Sequence, residues 1–302
     1  MLSERTVSTE LAVIQQRTVT LERPAYEARV GRSWVRLFHE DCVEGMRRRL
    51  DPGSVDVVVT SPPYNIGVEY SGYDDRGPRG EYLEWMDRWA RATNEVLAPN
   101  GSLFLVLGSK PTDPWVPFLV SMVVGKHLEL QNVIHWVKSI AIEKKDVGDY
   151  PGITGDIAIG HLKPISSPRF LSDCHEYVFH FTKRGDVPLD RLAVGVPYQD
   201  KSNVTRWAKP GGVDRRCRGN VWFVPYKTIK SRAGQRPHPA PFPTELARKC
   251  ILLHGRERVK TVLDPFLGIG HAGAAAVSLG LDFVGFEIVE DYLEAAKAVV
   301  VE

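Results

Sequence analysis

Apolar positions along this chain recur with two different periods. Trp34–Phe38 (WVRLF) alternates apolar and polar as a short strand does, and Val43–Leu50 follows it with helical character. Asp56–Thr60 (DVVVT) is a β-branched run halted by Ser61-Pro62-Pro63, the pattern of a buried parallel strand that ends in a loop. Tyr82, Trp85, Met86, Trp89, Val96 and Leu97 keep helical spacing. Pro99-Asn100-Gly101 stops that helix, and Ser102–Leu107 (SLFLVL) predicts the next strand. Val133–Val137 and Tyr177–Phe181 predict two more, separated by Ser139–Phe170, whose glycines and prolines predict mostly loop. Beyond Pro243 come a helix over 244–254, a strand at Thr261–Leu263, a glycine-rich turn and an alanine-rich helix over 272–279. A strand at Phe283–Phe286 and an amphipathic helix through Val300 close the pattern. Strands alternating with helices predict an α/β fold with a doubly wound, mostly parallel sheet.

Residues 1–30 lack a sustained period and read as an N-terminal arm, followed by a first α/β half over 31–183 and a second over 237–302. Between them, residues 184–236 form an irregular inserted segment with a short aromatic run, Val221–Tyr226, and no clear helix. Composition sharpens this picture at one place. The formal net charge is only +2, yet residues 201–236 hold ten Lys or Arg against one acid, Asp214. A local charge of +9 interleaved with Trp207, Trp222, Phe223 and Tyr226 points to nucleic acid as the partner. Among these cations Arg215, Arg216 and Arg218 follow Gly211-Gly212 and are the candidates to enter a DNA groove. Of 302 residues, 43% are hydrophobic and 25% charged, which excludes disorder and repeat fibres. There is no apolar run of about 18 residues, hence no expected membrane span. Cys42, Cys174, Cys217 and Cys250 are far apart with no CxxC pair, so neither a zinc site nor a disulfide framework is expected. The expected setting is cytoplasmic and reducing.

Two motifs carry candidate chemistry. Asp264-Pro265-Phe266-Leu267-Gly268-Ile269-Gly270 lies directly between a strand and a helix, with Gly273 completing GxGxxG spacing. Its glycines permit close approach of a ligand, and the helix beyond offers free N–H groups. Glu287, about 20 residues on at a strand end, can accept hydrogen bonds from ribose hydroxyls. Together they indicate a nucleoside-containing cofactor. The second motif is Thr60-Ser61-Pro62-Pro63-Tyr64-Asn65. Two prolines stiffen the backbone and remove two donors, so their carbonyls are expected to point where nothing on the chain neutralises them. An amino group held there would donate to a proline carbonyl and to the Ser61 hydroxyl, with Tyr64 stacking on its ring.

TSPPYN resembles the catalytic motif of amino-group DNA methyltransferases, and DPFLGIG resembles their S-adenosylmethionine motif, usually DPFxGSGT. His39-Glu40-Asp41-Cys42, Ile134-His135-Trp136-Val137-Lys138, His175-Glu176-Tyr177-Val178-Phe179 and His238-Pro239-Ala240-Pro241-Phe242-Pro243 are similar to further elements of that family. The catalytic motif precedes the cofactor motif, with the basic segment between them, which is the order of the β group. The resemblance implies a Rossmann-like methyltransferase fold with a target-recognition region, S-adenosylmethionine as cofactor and double-stranded DNA as partner. It implies Ser61, Pro62, Pro63 and Tyr64 as catalytic residues. For the cofactor it implies Asp41 and Cys42 near the adenine, His238, Phe242 and Pro243, and then Asp264, Phe266, Gly268, Gly270, His271 and Glu287. Ile269 and His271 depart from the family's serine and threonine. A homodimer and a cognate restriction endonuclease stay open as partners.

The mechanism so implied draws both hydrogens of an exocyclic amine out of plane and lets its nitrogen attack a sulfonium methyl in line, with positioning as the main source of acceleration. The target base must first leave the duplex stack. Methylation at cytosine C5 needs a Pro-Cys nucleophile, and no cysteine here follows a proline. A serine before Pro-Pro-Tyr favours cytosine N4 over adenine N6 within the resembled family. A nicotinamide-dependent oxidoreductase would use the same glycine loop and Glu287 but leaves the Pro-Pro motif and the basic segment unexplained. A DNA-binding protein without catalysis is the third reading, prompted by the altered Gly-Ile-Gly-His.

Overall fold

The β-branched run of Val55–Thr60 forms β3, and its successive side chains enter opposite cores: Val57 and Val59 one, Val58 the other. The computed structural model describes residues 23–160, 165–207, 213–225 and 241–301. Nine strands make one sheet, in the order β1 (Tyr26–Val30), β2 (Ser33–His39), β13 (Asp282–Glu287), β12 (Thr261–Asp264), β3, β6 (Leu97–Leu107), β10 (His175–Thr182), β7 (Glu129–Val137) and β11 (Val221–Phe223). From β2 through β6 neighbouring strands are parallel; β1 and β10 run antiparallel to their neighbours, and β11 runs parallel to β7. Two small antiparallel pairs stand apart, β4 (Glu69–Tyr70) with β5 (Tyr73–Asp74), and β8 (Ile140–Ile142) with β9 (Ile157–Ile159).

Helices cover both faces, as a largely parallel sheet requires. α1 (Cys42–Arg49), α2 (Arg79–Val96) and α3 (Val116–Val124) pack on one face. The short α4 (Lys144–Val147) and α5 (Ser202–Trp207) lie in connections, and α6 (Thr244–His254), α7 (His271–Ser278) and α8 (Glu290–Val301) pack on the other face. In α2 the buried Tyr82, Met86, Trp89, Ala90, Thr93 and Val96 form one stripe at helical spacing. Burying each large apolar side chain of that stripe contributes roughly 1.5–3 kcal/mol.

The order places β12 beside β3, although some 200 residues separate them. From β3 the chain crosses one face through α2 to β6; from β12 it crosses the other through α7 to β13. The two connections part at the carboxyl ends of adjacent strands, which opens a crevice there.

Several elements differ from the sequence expectation. Tyr26–Val30, placed in the arm, pairs with β2 as an edge strand. β6 begins at Leu97, so Pro99-Asn100-Gly101 sits inside the strand where its register against β3 shifts between Val55 and Val57. α3, with the sequence VPFLVSMVV, had no periodic signal because both its faces are apolar. Within 139–170 the chain forms α4 and the β8–β9 pair. The segment 184–236 contributes β11 to the main sheet, where Trp222 is buried and Trp136 Nε1 donates to the Val224 carbonyl at 2.8 Å. Part of that segment therefore completes the sheet, while Trp207 begins a stretch whose cations Lys209, Lys227, Lys230, Arg232 and Arg236 lie outside the described residues.

Under β6, Ser102 Oγ lies 2.9 Å from both His180 Nε2 and His254 Nδ1, and Asn132 Nδ2 lies 3.0 Å from His180 Nδ1. An amide nitrogen only donates, so His180 carries its proton on Nε2 and passes it to Ser102, which donates on to His254. Burial holds both imidazoles neutral, pulling His180 down to about 3 and His254 to about 4.

Candidate active site

The crevice at the strand ends holds a cleft with about 750 Å3 of empty space, its open mouth included. Glu287, the last residue of β13, stands on one side. Its Oε2 accepts from Gly268 N at 2.8 Å, and its Oε1 accepts from Ile288 N and Val289 N at 2.9 and 3.0 Å. Three backbone donors orient the carboxylate before any ligand arrives. Burial nonetheless raises its pKa, opposed by those same N–H groups. Asp41 lines the same cleft from the start of α1, where its Oδ1 caps the helix through Val43 N at 2.9 Å and Glu44 N at 3.2 Å. Phe266 and Phe286 form apolar walls, with Phe266 held 5.5 Å edge-on against Trp85. Cys42 also lines the cleft; burial pushes its thiol far up, so it is an inert wall.

Two carboxylates over aromatic walls suit an adenosine: hydroxyls and an amino group donate, a purine packs. The residues present therefore fit an S-adenosylmethionine-type cofactor. A second, smaller pocket of about 280 Å3 continues along Gly268, Ile269, His271 and Phe242 and shares Ser61 and Phe266 with the first. Ser61 thus borders both spaces.

Some of the expected cofactor residues stand elsewhere. Asp264 lies behind the cleft wall, fully buried; its Oδ1 accepts from Thr60 Oγ1 at 2.6 Å and from Phe266 N at 3.1 Å. Desolvation lifts its pKa to about 7, against the pull of the Thr60 bond. It clamps the two motifs together and does not line the cleft. Gly270 likewise faces the fold. It adopts φ +83°, and a Cβ there would meet Val300 Cγ2 at 2.8 Å, so its glycine serves the turn and the packing of α8. Pro243 is the residue before α6 and lines neither pocket. His238 lies outside the described residues. His271 Nδ1 donates to the Phe242 carbonyl at 2.5 Å, which ties the glycine loop to the segment leading into α6.

The Pro-Pro loop is braced more heavily than its sequence indicates. Tyr82 Oη, one turn into α2, donates to the Pro63 carbonyl at 2.8 Å. The expectation that both proline carbonyls lack neutralisers is thereby corrected: of the two, Pro63 is paired, and Pro62 has no donor to its carbonyl among the described residues. Asn65 adopts φ +57°, in the left-handed region. Buried Asp75 accepts from the N–H groups of Asn65, Ile66, Gly67 and Val68 at 2.7–3.0 Å, and Arg79 binds both the Asn65 side chain and its carbonyl. Ser61 Oγ lies 2.7 Å from Tyr64 Oη, which donates to Glu176 Oε2 at 3.1 Å. Burial and the Glu176 charge keep the Tyr64 phenol protonated, raising its pKa well above the usual value. Tyr82, Asp75 and Arg79 carried no motif and were not singled out from sequence. An Asp with Gly on both sides of its loop, in GVEYSGYDDRG, was the available hint.

Of the three candidate arginines, two are engaged on the chain itself. Arg215 Nη2 donates to the Gly195 carbonyl at 2.9 Å and Arg218 Nε to the Val194 carbonyl at 2.5 Å. The Arg216 backbone pairs with Val196, while its side chain is exposed and has no bond among the described residues. Lys201 pairs with Asp214.

A model of the DNA methylase family, covering N6 and N4 methyltransferases, matches residues 55–298. The type II methyltransferase M.ScaI of Streptomyces caespitosus is 29% identical over 302 residues, 97% of this chain and 87% of that protein. M.HpaI of Haemophilus parainfluenzae is 26% identical over 265 residues, 87% of this chain and 73% of that one. Among solved structures, the PvuII DNA methyltransferase (cytosine-N4-specific) aligns with a TM-score of 0.63 and 18% identity, over 93% of this chain and 90% of that one. A Thermus thermophilus protein crystallised with S-adenosyl-L-methionine aligns with a TM-score of 0.54 and 24% identity, over 87% and 91%. At those identities the structural matches speak for the shared sheet and helix arrangement.

Proposed function

The chain belongs to the DNA methylase family, and from that premise we propose that it methylates the exocyclic N4 amine of cytosine in duplex DNA at a specific sequence. The family draws its methyl group from S-adenosylmethionine. The observation that carries the reading is the place of Ser61, on the border between the carboxylate-lined cleft and the pocket along Gly268. Ser61 stands where both spaces meet, and Pro62, buried and lining neither pocket, would take part through its backbone carbonyl.

In this reading Glu287 and Asp41 take ribose and adenine, Phe266 packs against the purine, and the Gly268–His271 loop with Phe242 receives the amino-acid end. The cofactor, when bound, supplies an electrophilic methyl on a sulfonium sulfur, whose bonding pair stays with sulfur as the amine forms its C–N bond. Ser61 Oγ and the Pro62 carbonyl accept the two amine hydrogens and pull the nitrogen lone pair out of conjugation with the ring. The braced loop holds both acceptors still, so the acceleration comes from orientation. Flipping the base costs a few kcal/mol, which contact with Tyr64 offsets in part.

Serine at position 61 favours cytosine over adenine, and the PvuII enzyme with the same fold is described as cytosine-N4-specific. The type II relatives extend the proposal to a modification role beside a cognate restriction endonuclease. Arg216, exposed and with no side-chain bond among the described residues, is the candidate to meet a phosphate. The test is to express the protein in a methylase-free bacterial host, digest the DNA to nucleosides and sequence it with long reads. N4-methylcytosine at one recurrent sequence supports the reading; N6-methyladenine there would replace the base and keep the cofactor and fold.

A further inference from the structure

Two charged side chains stand beside the Pro-Pro loop without a part in the reading above. Glu176 is the second residue of β10, and Lys138 directly follows β7. Lys138 Nζ donates to Glu176 Oε1 at 2.9 Å, and Tyr64 Oη donates to Oε2 of the same carboxylate. Their side chains keep only 22% and 17% of their exposure. Gly108, just past β6, leaves them room: a Cβ there would sit 2.8 Å from Tyr64 Cε2 and 3.1 Å from Glu176 Cδ.

The order of donors along this chain follows from the groups themselves. Lys138 only donates and an ionised carboxylate only accepts, so the single phenol proton of Tyr64 goes to Glu176. Ser61 must then donate its own proton to the phenol oxygen. The serine oxygen is left with lone pairs alone facing the crevice. Without the carboxylate, the phenol proton is free to turn to Ser61, and the serine proton then points at the amine it should receive.

We propose that Glu176, held by Lys138, is a positioning residue that sets the direction of the Glu176–Tyr64–Ser61 chain, so that Ser61 Oγ meets the target amine as a pure acceptor and passes its surplus proton outward. This rests on the reading of Ser61 as the amine's acceptor. Once its C–N bond has formed, the nitrogen holds one proton more than the neutral product. That proton moves to Ser61 Oγ as the serine proton moves to Tyr64 Oη and the phenol proton to Glu176 Oε2. Serine and tyrosine end unchanged, the base ends neutral, and Glu176 returns the proton to water. The charged and titratable groups facing Glu176 are Lys138, Tyr64 and Tyr70 from the neighbouring elements and Asp173 and His175 on its own segment.

The experiment compares wild type with Glu176→Gln, Glu176→Asp and Tyr64→Phe. The first readout needs no ligand: the 13Cζ resonance of Tyr64, assigned by its loss in Tyr64→Phe, should move in Glu176→Gln while those of tyrosines other than Tyr70 and Tyr177, its neighbours, stay in place. The second is single-turnover transfer from tritiated S-adenosylmethionine to unmethylated bacterial genomic DNA. Glu176→Gln should lower that rate at least tenfold, with cofactor affinity by calorimetry and DNA affinity unchanged; Glu176→Asp should recover part. If Glu176→Gln does not fold, Glu176→Asp must move the resonance and Tyr64→Phe must show the same loss of rate. A resonance that stays put, a wild-type rate in Glu176→Gln or Tyr64→Phe, or a loss confined to KM overturns the proposal, since a merely structural ion pair predicts these. Failure of the cytosine reading appears separately, in the base found in the wild-type digest; a wild type that transfers no methyl overturns both.

Discussion

Thr60 Oγ1 donates to Asp264 Oδ1 at 2.6 Å although 204 residues separate the two in sequence. One is the last residue of β3 and the other the last of β12, so this bond joins the Pro-Pro loop to the glycine loop at their roots. Both partners are buried, which makes the bond expensive to break from one side only.

Thr60→Val keeps the shape and removes the donor, and should cost about 1–3 kcal/mol in urea unfolding. Asp264 titrates near 7 when folded, above its ordinary value, so its contribution to stability is complete below about pH 4 and is lost as pH rises through 7. Removing Thr60 should raise that midpoint further. The gap between variant and wild type should widen from pH 6 to pH 8, where the unsupported carboxylate must ionise. An equal gap at both pH values would exclude this pair as its source.

The buried histidines act in the opposite sense. His180 and His254 titrate near 3 and 4 in the folded chain, below the usual 6.5, so their contribution is present above about pH 6.5 and is lost as pH falls toward 4. For His254 the shift corresponds to about 3 kcal/mol at full protonation of the unfolded state. Acidification from pH 7 to 4.5 should lower the urea midpoint, and His254→Gln, which keeps a hydrogen-bonding group without titrating there, should lower it less steeply.

Glu287→Gln should weaken S-adenosylmethionine binding by about 1–3 kcal/mol, as expected for a lost charge-assisted bond. Calorimetry on the folded protein measures it. Glu287→Ala should do worse, because the Gly268, Ile288 and Val289 N–H groups then lose their acceptor as well. Matching affinities for wild type and Glu287→Gln would remove the carboxylate from the ribose.

Tyr82→Phe frees the Pro63 carbonyl and should cost about 0.5–1.5 kcal/mol in stability. Methyl transfer at saturating cofactor should fall with it, since the brace on the loop bearing Ser61 is gone. Transfer at the wild-type rate would mean that the two prolines hold the loop by themselves.

Arg216→Ala should weaken DNA binding alike for all sequences and reduce the salt slope by about 1, the signature of one lost phosphate contact. Arg215→Ala and Arg218→Ala should instead lower the melting temperature, through the Gly195 and Val194 carbonyls they hold. Filter binding over a range of salt separates the two behaviours.

What the sequence determined by itself was local. Period-two runs such as DVVVT, helical stripes such as that of α2, and the glycines of the loop after β12 act over a few residues, where propensity and turn geometry are decisive. They placed Ser61 and Glu287 at strand ends and made the resemblance to methyltransferases legible. Tertiary structure decided what those ends touch. The strand order β12-β3-β6-β10 brings Thr60 to Asp264, Tyr64 to Glu176 and Tyr82 to Pro63, and the path of the inserted segment sets Arg215 and Arg218 on the Gly195 and Val194 carbonyls. A hydrogen bond depends on position to within a few tenths of an ångström between groups up to 204 residues apart. No pattern of neighbours along the chain carries that distance, so which proline carbonyl Tyr82 braces and which arginines hold a carbonyl were settled only when the sheet closed.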